Sequence, residues 1–564
     1  MNKLPIIQKG DSSGIYFGTK NRIKTNVLLI GYAVIIFFFF SFLLLRLFHL
    51  AVVKGGYYSR LAEENRMREL ILEAKRGSIL DRKGFMLVQN SLPDIKKNDE
   101  RLSSSRRYEN PEATAHIVGY RQKADQKDIK EDKCLNKLKL GDKTGKKGIE
   151  KLFECELRGK HGKKLIEVDA SGSYVRTLGI SPSSDGQNIQ LALDFELQKK
   201  AFETMKDKKG AIVVLKPTTG EILALVSTPT FNSQYFEDEK TDETATYFAD
   251  QEKPLFNRAT EAGYPPGSIF KLTIASAALE EKSINEKTVF EDTGIIKAGP
   301  LTFGNWYFLQ YGKTEGSVDV IKALRRSNDI FFYKTGELLG VDKIKKWART
   351  FGFGETTHVG FEESEGLIPS AFWKEETLKD NWYLGDTYNL SIGQGYVLST
   401  PLQIAVASTA FANGGYICKP ELLKTQDSTP NIKQCKKLPI SSKTLQLVRE
   451  GMKQACSPGG TGWPLFDFAV NSVAAKSGMT KPSYEIATGS VNPSNDKKIQ
   501  TACKTGTAES HAESGNPHAW FTVFAPFDKP EIAVTVLVEE GGQGADIAAP
   551  IAKDLLTAFF QRNQ

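Results

Sequence analysis

An α+β fold is expected for most of this chain, on three observations. Strand-like runs collect in hairpins at both ends of residues 186–564. The long stretch between them is mostly helical, and one uncharged apolar run stands apart near the N-terminus. Helices and strands segregated in this way fit an antiparallel sheet covered by helices. At 564 residues the chain is too long for one ordinary domain, and two or three are expected.

Val27 to Leu45 carries no charge, and only Gly31, Tyr32 and Ser41 interrupt its apolar character. That length crosses a bilayer as a helix. Lys20, Arg22 and Lys24 precede it, which predicts a cytoplasmic N-terminus and an external location for everything after about residue 50. The run reads as an uncleaved anchor rather than a signal peptide. Arg46, Phe48 and His49 follow where a small-x-small cleavage site would have to lie.

Beyond the anchor, Tyr57 to Glu73 reads as a polar, charged helix, and Arg76 to Gly84 as a short strand closed by a glycine turn. Residues 91 to 112 read as loop, and Gly148 to Glu154 with Leu157-Arg158-Gly159 as a short helix ended by glycine. The net charge of +8 is concentrated between Arg121 and Lys164, where 15 Lys and Arg face 8 Asp and Glu. This stretch reads as a solvated linker face rather than a surface for anionic lipid or wall polymer. No aromatic residues interleave with it, so nucleic acid is not an expected partner.

Ala192 to Lys206 has helical periodicity. Ala211 to Leu215 and Glu221 to Ser227 form a hairpin around Pro217-Thr218-Thr219-Gly220. Thr501 to Ala508, Ala519 to Ala525 and Ile532 to Val538 read as strands, and Ala548 to Phe560 as a closing helix. The six cysteines belong to the exported region. A bridge is expected between Cys418 and Cys435, with Cys134 and Cys155 a second candidate, although spacing leaves the connectivity open. No Cys-x-x-Cys or Cys/His cluster points to a metal, and no cofactor is expected.

The chemistry concentrates at Tyr264-Pro265-Pro266-Gly267-Ser268-Ile269-Phe270-Lys271, ahead of the apolar run Leu272 to Leu279. The prolines and glycine cannot continue a helix backwards, so a helix begins at or near Ser268. Residues three apart share a helix face, which brings the hydroxyl and the amine together. N–H groups at the helix start can hold an oxyanion, and a desolvated amine can accept the hydroxyl proton. A second Ser-x-x-Lys, Ser494 to Lys497, lies in a loop-like context without a helix after it.

Other triplets complete a pattern. Lys504-Thr505-Gly506-Thr507 lies in a strand-like run and is followed by the strand His518-Ala519-Trp520-Phe521. Ser327-Asn328-Asp329 precedes the aromatic run Ile330 to Tyr333. Lys143-Thr144-Gly145, Lys334-Thr335-Gly336 and Lys476-Ser477-Gly478 are lesser candidates for the third triplet, because of their order or context. Ser283-Ile284-Asn285 and Ser490-Val491-Asn492 stand too close to their neighbouring motifs to be the second. In this order the chain resembles the penicillin-binding proteins, which share a fold with serine β-lactamases. Pro254 to Ala259, Trp382, Gly385-Asp386-Thr387, Ser391 to Tyr396, Thr400 to Gln403 and the tail from Val538 to Pro550 are similar to the elongation-type class B members.

The resemblance implies a layout of four parts: a cytoplasmic tail at 1–25, a transmembrane helix at 26–48, a shortened pedestal at 49–185 and a transpeptidase domain at 186–564. That last domain would carry a five-stranded antiparallel sheet with helices on both faces. It further implies a peptidoglycan D,D-transpeptidase of cell-wall elongation, in which Ser268 attacks the penultimate D-Ala of a stem peptide. Lys271, with Ser327 as relay, would take the proton, and Lys504 would keep the site positive. Thr505, Gly506, Thr507 and Asp329 would bind substrate, with the Ser268 and Thr507 N–H groups as oxyanion hole. A membrane glycosyltransferase of the SEDS family would be the polymerising partner.

Two features depart from the pattern. Aspartate stands at 329 where asparagine is usual, and the segment between Arg76-Gly77 and His116 to Tyr120 is short. A septal class B transpeptidase, a D,D-carboxypeptidase or β-lactamase, a β-lactam sensor and a catalytically weak scaffold are the competing readings. A Ser-His-Asp hydrolase is disfavoured, because none of the six histidines accompanies a nucleophile elbow.

Overall fold

The computed structural model describes residues 22–72, 74–90, 105–169, 171–425, 435–471, 496–510 and 515–562. The chain divides into two compact units, one of Met1–Leu72 with Gly162–Pro182, the other of Glu73–His161 with Ser183–Gln564.

In the first unit, the helix Arg22–Phe48 runs on through a π turn, His49–Val53. Val27–Val53 has a mean hydropathy of 2.8, and its side chains, Phe37 to Phe40 among them, lie exposed on the helix surface, as suits a lipid-facing span. The helix Gly55–Arg66 follows, but Met67–Leu72 is a strand, not the end of the expected helix. It pairs antiparallel with Gly162–Val168, which pairs in turn with Tyr174–Ser181. Pairing with a segment remote in sequence overrides the local helical character of this Glu- and Leu-containing run.

The second unit opens with four short strands ordered 106–108, 86–90, 79–80, 189–190. Arg106–Tyr108 is therefore strand rather than loop, and residues 91–104 of that expected loop lie outside the described residues. The basic stretch is likewise no linker. Lys143–Gly145 pairs with Arg121–Lys123, and Arg121 is buried against Glu237 at 2.7 Å. Arg158 meets Asp132 at 2.7 Å, and Arg76 meets Glu150 at 2.7 Å and Glu154 at 2.6 Å. Arg106 also bonds Glu150. Burial alone would raise the Glu150 carboxyl, but the two guanidiniums overcome it and hold the pKa at about 2.

The rest of the unit is built on a five-stranded antiparallel sheet. Its strands are β1 (Gly210–Leu215), β2 (Ile222–Thr228), β3 (Ala502–Ala508), β4 (His518–Ala525) and β5 (Ile532–Val538), in the order β2-β1-β5-β4-β3. β1, β2, β4 and β5 are buried on both faces and largely apolar, whereas β3 carries Lys504, Thr505 and Thr507; the period of two divides the core. Phe521, Val523, Val534 and Val536 pack with Leu197, Ala201, Leu555 and Leu556 of the helices Phe195–Met205 and Ala549–Arg562. Trp520, Phe524, Ala533 and Leu537 face the other way, into a core shared with α1 (Lys271–Glu280), α2 (Val320–Arg326), α3 (Asp329–Leu339) and α4 (Ser442–Ala455).

Three disulfides join Cys134 to Cys155, Cys418 to Cys435 and Cys456 to Cys503.

Candidate active site

The segment before α1 is fixed from several sides. Tyr264 and Ser399 exchange backbone hydrogen bonds of 2.9 and 2.8 Å, and the Gly267 N–H donates to the Gly393 carbonyl at 2.9 Å. Trp520 Nε1 donates to the Pro265 carbonyl at 3.0 Å. The Tyr264 hydroxyl donates to Glu539 Oε1 at 2.6 Å, and Arg258 Nε meets the same oxygen at 2.8 Å. Gly267 has φ +53°, and a Cβ there would stand 2.9 Å from the Thr507 carbonyl oxygen, so glycine is required. Ser268 then sits in a single 3-10 turn, Gly267–Ile269, and α1 begins at Lys271. In a 3-10 turn residues three apart nearly eclipse, which keeps Ser268 above Lys271. Ser268 is half-buried, while Lys271 is completely buried.

Lys271 Nζ donates to the Ser327 carbonyl at 2.8 Å and to Asp329 Oδ1 at 2.6 Å, with Ser327 Oγ at 3.4 Å. Ser327 links α2 to α3 in the left-handed region, φ +53°, an uncommon conformation for a residue with a Cβ. Asn328 caps α3, accepting from the Phe331 N–H at 2.8 Å.

Both oxygens of Asp329 are used. Oδ2 accepts from the Trp306 N–H at 2.9 Å, while the Asp329 N–H donates to Asn305 Oδ1 at 3.1 Å. Behind them Asp292 Oδ2 accepts from the side chains of both Asn305 and Asn328 at 2.9 Å. Asp292, Asn305 and Trp306 escaped the sequence reading, because no local pattern marks them. Only the fold brings them to the Ser327 turn.

Lys504 comes from β3, the edge strand, and is completely buried. Its Nζ donates to Ser327 Oγ at 2.8 Å and to the Thr505 carbonyl at 2.9 Å. The Ser327 hydroxyl is thus nearer Lys504 than Lys271. Gln394 Nε2 donates to the Thr507 carbonyl at 3.2 Å. In an antiparallel strand one residue's N–H and C=O point the same way, so residues 505 and 507 turn both groups away from β4, toward the Ser268 side. Gly506 allows close stacking on β4, since a Cβ would meet that of Trp520 at 2.8 Å.

Burial drives both lysines below the ordinary lysine pKa. For Lys271 the Asp329 carboxylate opposes the shift. Lys504 falls further, through burial first and the charge of Lys271 second. Two buried ammonium groups share one carboxylate, so one proton is poorly held. Lys271, Ser327, Asp329, Lys504 and Thr505 are thus joined by hydrogen bonds at one site, and the turn that carries Ser268 lies against Thr507, whose carbonyl oxygen would stand 2.9 Å from a Cβ on Gly267. Among the other triplets, Lys143–Gly145 is a strand, Lys334-Thr335-Gly336 lies within α3, and Lys476 to Gly478 and Ser490 to Asn492 lie outside the described residues. Among the described residues no cluster of His, Cys, Asp and Glu could hold a metal.

Residues 210–557 match the model of the penicillin binding protein transpeptidase domain, and residues 92–191 that of the penicillin-binding protein dimerisation domain. A relative from Haemophilus influenzae named Peptidoglycan D,D-transpeptidase MrdA is 33% identical over 477 residues, covering 81% of this chain and 69% of that protein. The solved complex between penicillin-binding protein 2 and MreC from Helicobacter pylori superposes with TM-score 0.71 at 27% identity, over 88% of this chain and 99% of that one. A structure described as the structural coordination of polymerization and crosslinking by a peptidoglycan synthase complex gives TM-score 0.71 at 27% identity, over 96% and 98% of the two chains. The chain belongs to the penicillin-binding protein transpeptidase family, in its elongation-type class B branch.

Proposed function

We propose that this chain is a serine D,D-transpeptidase that cross-links peptidoglycan stem peptides. The observation that carries the reading is the convergence of Lys271, Ser327, Asp329 and Lys504, from three separate segments, beside the half-exposed Ser268. Ser268 Oγ attacks the penultimate D-Ala carbonyl, and its proton passes to the lysine pair, with Ser327 linking the two amines. The N–H groups of Ser268 and Thr507 receive the oxyanion, each donor being worth about 2.7–4 kcal/mol of barrier. As the intermediate collapses, the C–N bond to the terminal D-Ala breaks and the proton returns to that amine. An amine from a second stem peptide then attacks the Ser268 ester and restores the hydroxyl.

Thr505 and Thr507, with the positive charge that remains on the lysine pair, bind the substrate carboxylate, and Gly506 lets the strand approach. Asp329 keeps Lys271 in place and balances part of the charge. The apolar helix fits a single-pass anchor, and the basic residues before it favour a cytoplasmic N-terminus with an external catalytic domain. A membrane glycosyltransferase of the SEDS type, acting on the same polymer, is the partner this reading calls for. Support comes from the structural likeness to a synthase complex that couples polymerization to crosslinking.

Fluorescent penicillin labelling followed by peptide mass analysis tests the site. The modified peptide contains Ser268, and Ser268→Ala abolishes labelling. A label on any other residue refutes the assignment, and acyl-enzyme hydrolysis within minutes would favour a carboxypeptidase or β-lactamase instead.

A further inference from the structure

The segment from Cys456 to Gly462, which leaves the C-terminus of α4, touches both halves of the site. At its start Cys456 is disulfide-bonded to Cys503, the residue immediately before Lys504. Near its end the Thr461 hydroxyl accepts a hydrogen bond from the Thr505 hydroxyl at 2.8 Å. Between these points the Pro458 carbonyl accepts from Arg325 at 3.0 Å, and the Gly459 carbonyl accepts from Arg325 and Arg326, both at 3.2 Å. Those two arginines end α2, directly before Ser327.

Glycine suits both ends of the turn: Gly459 has φ +83°, and Gly462 packs on the disulfide. A Cβ on Gly459 would stand 2.1 Å from the Arg325 guanidinium, and one on Gly462 would stand 2.5 Å from the Cys503 sulfur.

The hydrogen bond between Lys504 and Ser327 joins residues 177 apart in sequence, so no local element sets it. Lys504 lies on an edge strand with one strand neighbour, and Ser327 sits in a strained left-handed turn between two helices. A one-ångström displacement of either residue breaks the bond. We propose that Cys456–Thr461 is a positioning strap that holds Lys504 of β3 against the Ser327 turn. Its covalent end is the Cys456–Cys503 disulfide, and the Thr461 hydroxyl orients Thr505. These residues position the machinery and touch no reacting atom. The inference rests on the acyl-transfer reading of Ser268.

The test uses the full chain in detergent, with acylation by a fluorescent penicillin followed across pH alongside thermal unfolding. Thr461→Val keeps the shape and the disulfide but removes the hydroxyl, and is expected to slow acylation about tenfold, equivalent to ~1.4 kcal/mol of barrier. Thr461→Ser, which keeps the hydroxyl, is expected to restore the rate. The double variant Cys456→Ala/Cys503→Ala is expected to slow acylation by about as much or more and to displace its pH profile, because Lys504 is no longer held at Ser327.

If the double variant does not fold, Thr461→Val and its serine counterpart decide the matter alone. Rates and pH profiles equal to the parent's, with or without a lower melting temperature, overturn the strap while leaving the Ser268 reading intact. Failure of the parent itself to label at Ser268 overturns that reading, and the strap with it.

Discussion

Asp329 Oδ1 lies 2.6 Å from Lys271 Nζ, so the lysine of the nucleophile turn is paired with a carboxylate 58 residues further along the chain. The aspartate that departs from the usual asparagine is therefore a counter-ion. Its second oxygen is held by the Trp306 N–H, which fixes the direction of the first.

Asp329→Asn removes the one interaction that raises Lys271 against its burial. Lys271 then loses its proton at lower pH, and so does Lys504, which the same carboxylate also raises, so the acid limb of the acylation profile moves to lower pH. Stability falls as well, since a buried pair has lost one partner. Penicillin acylation rates between pH 5 and 10, measured beside unfolding curves, check both effects. An unmoved acid limb would mean that the lysine pair does not control it.

The parent's own profile is expected to be a bell with both limbs below the ordinary lysine value of 10.5. Acylation rises with pH as the lysine pair gives up its first proton and gains a base. It falls when the second proton leaves and carboxylate recognition loses its positive charge. The two apparent values belong to the coupled pair rather than to either lysine. The same shifts bear on stability. The unfolded chain binds these protons more tightly than the folded one, so the destabilisation they cause is relieved as pH rises toward 10.5. A profile flat to pH 10 would contradict the burial of both amines.

Ser268, Lys271 and Lys504 were legible because each sits in a local pattern: prolines and glycine before a helix, or a polar triplet in a strand-like run. The other four strands of the sheet were legible for a similar reason, as strands buried on both faces read as apolar runs bounded by turns. Asp329 could be located but its partner could not, because an ion pair between two helix starts is a tertiary fact. Met67–Leu72 shows the same limit. Its residues suit a helix, and only its pairing with Gly162–Val168 makes it a strand. The basic stretch misled in part because Glu237, the carboxylate partner of Arg121 and Lys143, lies far outside any local window. The Cys456–Cys503 bridge carried no spacing signal at all.

Glu150 offers a stability test away from the site. Glu150→Gln keeps the shape but leaves Arg76 and Arg106 buried without the carboxylate they share. A loss of ~3–5 kcal/mol is expected, with acylation per folded molecule unchanged. The sign with pH follows from a depressed carboxyl. Its contribution is complete above the ordinary value of 4.5 and is lost as pH falls toward about 2. Denaturant unfolding at pH 7 measures the loss, and a change under 1 kcal/mol would show that the arginines find other partners.

His116 provides the last test, because its titration and those of the carboxylates can be separated by subtraction. The ring is buried, edge-on to Phe231 at 5.2 Å. Burial first, then the charges of Lys147 and Arg258, lower its pKa from 6.5 to about 3. The folded protein therefore keeps the imidazole neutral over a range in which the unfolded chain protonates it. Stability should fall as pH drops below 6.5, at about 1.4 kcal/mol per pH unit from this group, until the folded form also binds a proton near 3. His116→Asn cannot titrate, so its unfolding free energy should decline less steeply over that window. The difference between parent and variant cancels the acid response of the carboxylates they share. Unfolding at pH 7, 5.5 and 4 measures it, and parallel declines would show that the folded protein protonates this imidazole as freely as the unfolded chain does.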